Sequence, residues 1–251
     1  MPINRDFRVK LGYPNAEVLK KHFKGKDIVE INWNKIELYN SRIKDIFREL
    51  NSVIHESIKY EDFATFDSVI DNAYRILRDN NIIPRLNNNG RNPEDVYYNW
   101  MRGYAVCVFF SKALSLVFDV PQNSIKTVGN DKLTDIGTFS KSPTADLEIE
   151  LENKIVRLEI QSGFTGTNDI KRHKVIEAKK VFLSDNINSY IVHFDLFNGT
   201  VAIVDISSIS DDNINWEHRQ QFEDKIVFSI PSESFRWAIT DTPINYKEII
   251  V

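Results

Sequence analysis

Ser142-Pro143-Thr144-Ala145-Asp146-Leu147-Glu148-Ile149-Glu150-Leu151-Glu152-Asn153-Lys154-Ile155-Val156-Arg157-Leu158-Glu159-Ile160-Gln161 is the stretch from which the rest of the chain is read. Apolar residues alternate strictly through it: Ala145, Leu147, Ile149 and Leu151, then Val156, Leu158 and Ile160. A period of two marks half-buried strands. The stretch therefore predicts two strands joined at Glu152-Asn153, where Asn tolerates a positive φ. In that register Leu147 faces Leu158, Ile149 faces Val156, Glu148 faces Arg157, and Asp146 faces Glu159.

The last pairing makes a physical demand. Directly opposed side chains have Cβ atoms about 4.5–5.5 Å apart, and like charges there repel. Two carboxylates so placed need a shared proton or a cation. A hard divalent ion is the natural partner, because magnesium takes one or two carboxylates and keeps waters for a phosphate. The same residues also fit an ordinary solvated hairpin face, and a two-residue slip would set Asp146 against Arg157 as a surface ion pair.

Downstream, Ser162–Asp169 reads as a glycine-punctuated polar loop containing Thr165, Thr167 and Asn168. It feeds a helix expected from about Asp169 to Leu183, with Lys171, Arg172, His173 and Lys174 in its first turns. Cations at a helix N-terminus oppose the dipole and point to an anionic partner, although a solvated basic face has the same composition. Tyr190–Phe197 and Thr200–Ile206 read as strands joined at Asn198-Gly199, a hairpin signal. A short helix is expected near Trp216–Phe222, then a strand over Lys225–Ile230 and an apolar tail.

Upstream, Asn92-Pro93-Glu94-Asp95 is a helix start, and the helix is expected to run through Phe118. Its second half is apolar nearly all round, as in a buried helix. Glu94 either complements the dipole or reaches a site as an accessory acid. A strand is expected over Ser124–Val128. Asn87-Asn88-Asn89-Gly90-Arg91 is rich in the side chains that read adenine and guanine edges, and these are turn formers too. Helical spacing marks Asn34–Lys59 and Phe63–Leu77, with a shorter helix near Ala16–Phe23 behind a polar arm.

At 251 residues, 42% hydrophobic and 27% charged, the chain suits one compact globular domain. A helical region, 1–91, would precede a core of 92–251. The net charge of −4 gives no global basic field, so nucleic-acid binding would need a local patch. One cysteine excludes an internal disulfide. No apolar run suits a membrane span or a signal core, and a soluble cytoplasmic protein is expected. The five histidines lack zinc spacing, and there is no P-loop or dinucleotide fingerprint.

The order helix, strand, hairpin carrying Asp…Glu-x-Gln, helix, strand resembles the PD-(D/E)xK nuclease fold, and within it the Type II restriction endonucleases. The resemblance covers roughly residues 92–197. It implies an α/β protein with a restriction-endonuclease-like core, a mixed central sheet flanked by helices, plus an N-terminal helical extension. Asp146 and Glu159 would be the metal-binding acids, the backbone carbonyl of Ile160 a further ligand, and Mg2+ the cofactor. Gln161 stands where the family usually has Lys, as in a minority of restriction enzymes. Arg157, Lys171 or Lys174 would supply the missing charge. The resemblance also implies Mg-dependent, sequence-specific hydrolysis of double-stranded DNA by a homodimer, with helices 34–77 as the interface. Asn88, Asn89, Arg91, Thr165, Thr167, Asn168, Lys171, Arg172 and Lys174 are the candidate DNA contacts. A repair, phage or RNA-cleaving nuclease of the same fold, and a non-catalytic binding module, are the alternatives.

Overall fold

In a computed structural model of the chain, the described residues are 5–25, 29–86, 91–128, 133, 146–166, 168–210, 214–219 and 225–251. Asn88, Asn89 and Thr167 lie outside them. The expected hairpin forms in the expected register. Strands β2 (Leu147–Leu151) and β3 (Lys154–Gly163) pair antiparallel, with Leu147 opposite Leu158, Glu148 opposite Arg157 and Ile149 opposite Val156. Glu152 and Asn153 between them have φ of 51° and 64°, the double positive φ that a tight primed turn requires.

Around the hairpin grows a mixed six-stranded sheet flanked by helices. It adds β1 (Lys126–Thr127), β5 (Asn188–Asp195), β6 (Thr200–Asp205) and β9 (Phe235–Ala238), in the order β1-β2-β3-β5-β6-β9. Strand β5 runs parallel to β3 and the other neighbours are antiparallel. The parallel pair is bridged by β4 (Asp169–Lys171) and helix α7 (Arg172–Asp185), the crossover that such a pairing needs. Strand β1 meets only Leu147 and Glu148 of β2. A second sheet, β4-β8-β7, uses β7 (Glu217–Arg219) and β8 (Lys225–Ser229).

Period-two alternation gives the large sheet two unlike faces. Val156, Leu158, Ile160, Val192, Phe194, Val201 and Ile203 enter one buried apolar cluster with α3 (Trp33–Val53), α4 (Phe63–Asp79), α5 (Pro93–Phe109) and α6 (Ser111–Phe118). The stacked rings of Phe110 and Phe194, 4.0 Å between centroids, join helices to sheet. On the opposite face Ile191, Ala202 and Val204 pack with Val175 and Ala178 of α7 and with Ile170 and Phe228 of the small sheet. Two shorter helices, α1 (Arg5–Leu11) and α2 (Ala16–Phe23), precede this body, and α8 (Tyr246–Ile249) closes the chain.

Several expectations are corrected. The single helix over 92–118 is two, α5 and α6, bent by 48° around Phe110. Asn92 takes the N-cap position but makes no side-chain cap hydrogen bond. The helix expected from Asp169 starts at Arg172, because Asp169–Lys171 pairs with Ser229–Val227 as a strand. The helix expected near Trp216 is instead strand β7 over Glu217–Arg219, where it pairs with β8. Among the described residues no single helix is long and apolar enough to cross a membrane.

Candidate active site

Asp146 ends its strand by side-chain chemistry. Its N–H donates to the Leu158 carbonyl at 3.1 Å, while its Oδ2 accepts the Ile160 N–H at 2.8 Å. The antiparallel pairing with β3 begins at Leu147 and Leu158, one residue beyond Asp146 and one short of Glu159. The N–H and C=O of one strand residue point to the same side, so the Ile160 carbonyl also faces the end of β2.

Glu159 receives a cation from the crossover helix. Lys174, in the first turn of α7, places Nζ 2.6 Å from Glu159 Oε1, with the two side chains 20% and 13% exposed. An ion pair that is so little exposed is screened less than a surface pair. Arg157 is committed elsewhere: its Nε donates to Glu148 Oε1 at 3.1 Å, directly across the hairpin. Of the candidate replacements for a motif lysine, Lys174 pairs with the acid at position 159. Gln161 lies two residues along the same face of β3, half-buried, in register with His193.

A hard divalent cation wants oxygen ligands, and Asp146, Glu159 and the Ile160 carbonyl offer only oxygen. Asp146 Oδ2 accepts the Ile160 N–H, and a carboxylate can accept at about four lone-pair sites. The donor set therefore fits magnesium. Among the described residues no three His, Cys, Asp or Glu side chains form a ready-made cage, so such an ion would keep waters and take phosphate oxygens.

Other candidates lie apart. Glu94 is buried, and its Oε1 accepts the Asn32 N–H at 2.7 Å, which ties the start of α5 to that of α3. Its accessory role is thereby replaced by a structural one. Arg91 and Thr165 are exposed. Lys171 precedes α7 and is half-buried, while the Arg172 guanidinium lies 5.8 Å from the Trp216 ring centroid. Asn168 is drawn inward: its Nδ2 donates to Asp195 Oδ2 at 2.9 Å and its Oδ1 meets His193 Nε2 at 2.8 Å.

That network escaped the sequence reading. His193 and Asp195 are 3% and 2% exposed. Burial holds the imidazole down to about 4, against the upward pull of the Asp195 and Asp169 carboxylates. Burial would raise Asp195, but hydrogen bonds from Asn168, Asn198 and Phe197 together hold it below its ordinary value. The available signal was a His and an Asp two apart on one face of the apolar strand Tyr190–Phe197. The chain has no significant match among protein-family models, curated proteins or solved structures.

Proposed function

We propose that the protein is a magnesium-dependent endonuclease of the Type II restriction kind, hydrolysing phosphodiester bonds in double-stranded DNA at a specific sequence. The observation that supports this reading is the hairpin pairing of Leu147 with Leu158, next to Asp146 and Glu159, with Asp146 Oδ2 on the Ile160 N–H and Lys174 of α7 on Glu159. The element order supports it: helices α5 and α6, strand β1, the hairpin β2–β3, helix α7 and strand β5 follow the order of a restriction-endonuclease-like core.

The residues divide the work. Asp146 and Glu159 would supply anionic oxygens to the metal, and the Ile160 carbonyl a neutral one. Magnesium, when bound, polarises the scissile phosphate and acidifies a bound water. Lys174 neutralises Glu159 in the metal-free protein and can turn its ammonium to a phosphate oxygen. The Gln161 amide orients water or phosphate by hydrogen bonding and carries no proton at neutral pH. A palindromic site calls for two-fold symmetry. Helix α3 leaves Leu38, Ile46 and Val53 exposed, a surface on which a second copy would press.

Plasmid DNA incubated with purified protein and magnesium tests the reading. Discrete fragments are expected. A smear would mean an unspecific nuclease, and intact plasmid at all magnesium concentrations would remove the nuclease reading.

A further inference from the structure

Beyond the carboxyl ends of β3 and β5 lies a cavity of about 780 Å³, lined in part by Asn168, Asp195, Asn198, His218, Arg219 and Phe235. Neither Asp146 nor Glu159 lines it. Crevices at the carboxyl ends of strands are where open α/β sheets bind ligands, and the volume is that of a small-molecule site.

The polar groups of this cavity are held from behind. Asp195 is 2% exposed, and both its oxygens are occupied. Oδ1 accepts the N–H groups of Phe197 and Asn198, each at 3.0 Å. Oδ2 accepts Nδ2 of Asn168 at 2.9 Å and Nδ2 of Asn198 at 2.8 Å. Asn198 thus stands fixed by one amide N–H, and among the described residues its carbonyl oxygen and second N–H have no partner. Arg219 is held likewise: Nη2 donates to Ser229 Oγ at 2.9 Å and lies 3.1 Å from Glu217 Oε2. Its Nε is 3.3 Å from Asp169 Oδ2, whose side chain is 1% exposed, yet neither atom makes an aligned hydrogen bond. Among the described residues Nη1 has no hydrogen bond or ion pair.

A fixed amide with one acceptor and one donor matches the N6/N7 edge of adenine, and a guanidinium matches the O6/N7 edge of guanine. Phe235 and the exposed ring of His218 offer faces on which a base can stack. An edge-on contact with His193, 6.0 Å between centroids, steadies Phe235. In β3, Gly163 sits beside Asp195, four residues beyond Glu159. That is roughly 13 Å of strand, or about four stacked nucleotides.

We propose that this cavity receives an unstacked purine base of the nucleic acid whose phosphate is held at Asp146 and Glu159. The proposal rests on the nuclease reading for the identity of its ligand. A base reaches such a recess only after leaving its stack, and its polar edge and ring face are then read together.

The test uses the full chain carrying Asp146→Asn, in EDTA, so that cleavage plays no part. Adenosine, guanosine and cytidine 5′-monophosphates and inorganic phosphate are titrated by calorimetry. Saturable binding of a purine nucleotide is expected, at least ten-fold tighter than cytidine monophosphate or phosphate. Arg219→Ala and Asn198→Ala should each weaken it ten-fold or more. Asn198 also holds Asp195, so His218→Ala is the second probe and should weaken binding at least three-fold, with melting of each variant recorded on the same preparation. Absence of saturable purine binding overturns the proposal. So does equal binding of phosphate, which would mark an anion site, or binding indifferent to Arg219→Ala and His218→Ala. Purine binding by a protein that never cuts plasmid would remove the nuclease reading and leave the base pocket standing. Cutting without purine binding would do the reverse.

Discussion

The two faces of the large sheet are built from the same strands by the same alternation, yet one is apolar throughout while the other mixes an apolar patch under α7 with charged and polar residues. One face is apolar from Val156 across to Trp237 and is closed by four helices. The other carries Asp146, Glu148, Arg157, Glu159 and Gln161 at the hairpin end, and the buried His193 and Asp195 further in. The comparison teaches a division of labour. Burying apolar area stabilises on the order of 25 cal/mol per Å², whereas a buried charge destabilises unless it is paired. The helical face can therefore hold the fold while the other face carries charged and polar groups that are paired or hydrogen-bonded.

That division is most exposed to refutation at the acids. Glu159→Gln and Asp146→Asn should each lower magnesium-dependent cleavage by about a thousand-fold or more; Asp146→Asn should leave melting little changed, while Glu159→Gln should lower it by leaving Lys174 without its carboxylate. Asn at 146 keeps an acceptor for the Ile160 N–H. Plasmid cleavage and calorimetric melting on one preparation read both effects, and wild-type cleavage by Glu159→Gln would reduce the hairpin to a surface hairpin. On the helical face the pattern should invert. Phe66, fully buried among Phe47, Phe63 and Phe109, should cost about 3–5 kcal/mol as Phe66→Ala, measured by denaturant unfolding, while cleavage per folded molecule stays near wild type.

Next in size is a pH effect confined to the polar face. An unfolded imidazole takes up its proton near 6.5, while folded His193 does so at about 4. Between those values the unfolded chain holds more protons, so stability is full above about 6.5 and falls as the pH drops toward 4, by roughly 3 kcal/mol. Asp195, held low in the fold, loses its own contribution as pH falls further. A His193→Gln variant should flatten the His part of the curve, and an unchanged curve would place the acid sensitivity elsewhere. The smallest effect is expected at Gln161→Ala, less than about ten-fold in cleavage, because a neutral amide orients without supplying charge.

The hairpin was legible in the sequence because its signals agree: strict alternation, a turn residue that accepts positive φ, and a register fixed by a two-residue connection. The bend at Phe110 was not, since Tyr104–Phe118 is apolar on both sides of it and no proline or glycine marks the break. Strands β4 and β7 were hidden for another reason. Each is three residues long and exists through pairing with β8, a partner up to sixty residues away that local pattern cannot supply. Separations of 25 and 27 residues hid the bonds of Asn168 to His193 and Asp195. Glu94 was read by its place at a helix start, but burial and the Asn32 N–H decide what it does.

The shortness of β1 has a further consequence. It covers only Leu147 and Glu148, so among the described residues Ile149, Glu150 and Leu151 form an uncovered edge, an invitation to pair with another chain. Ile149 and Leu151 turn inward and only Glu150 is exposed, which leaves one carboxylate guarding that edge against fibril-like stacking. Glu150→Val would remove that carboxylate and should promote self-association, read by light scattering.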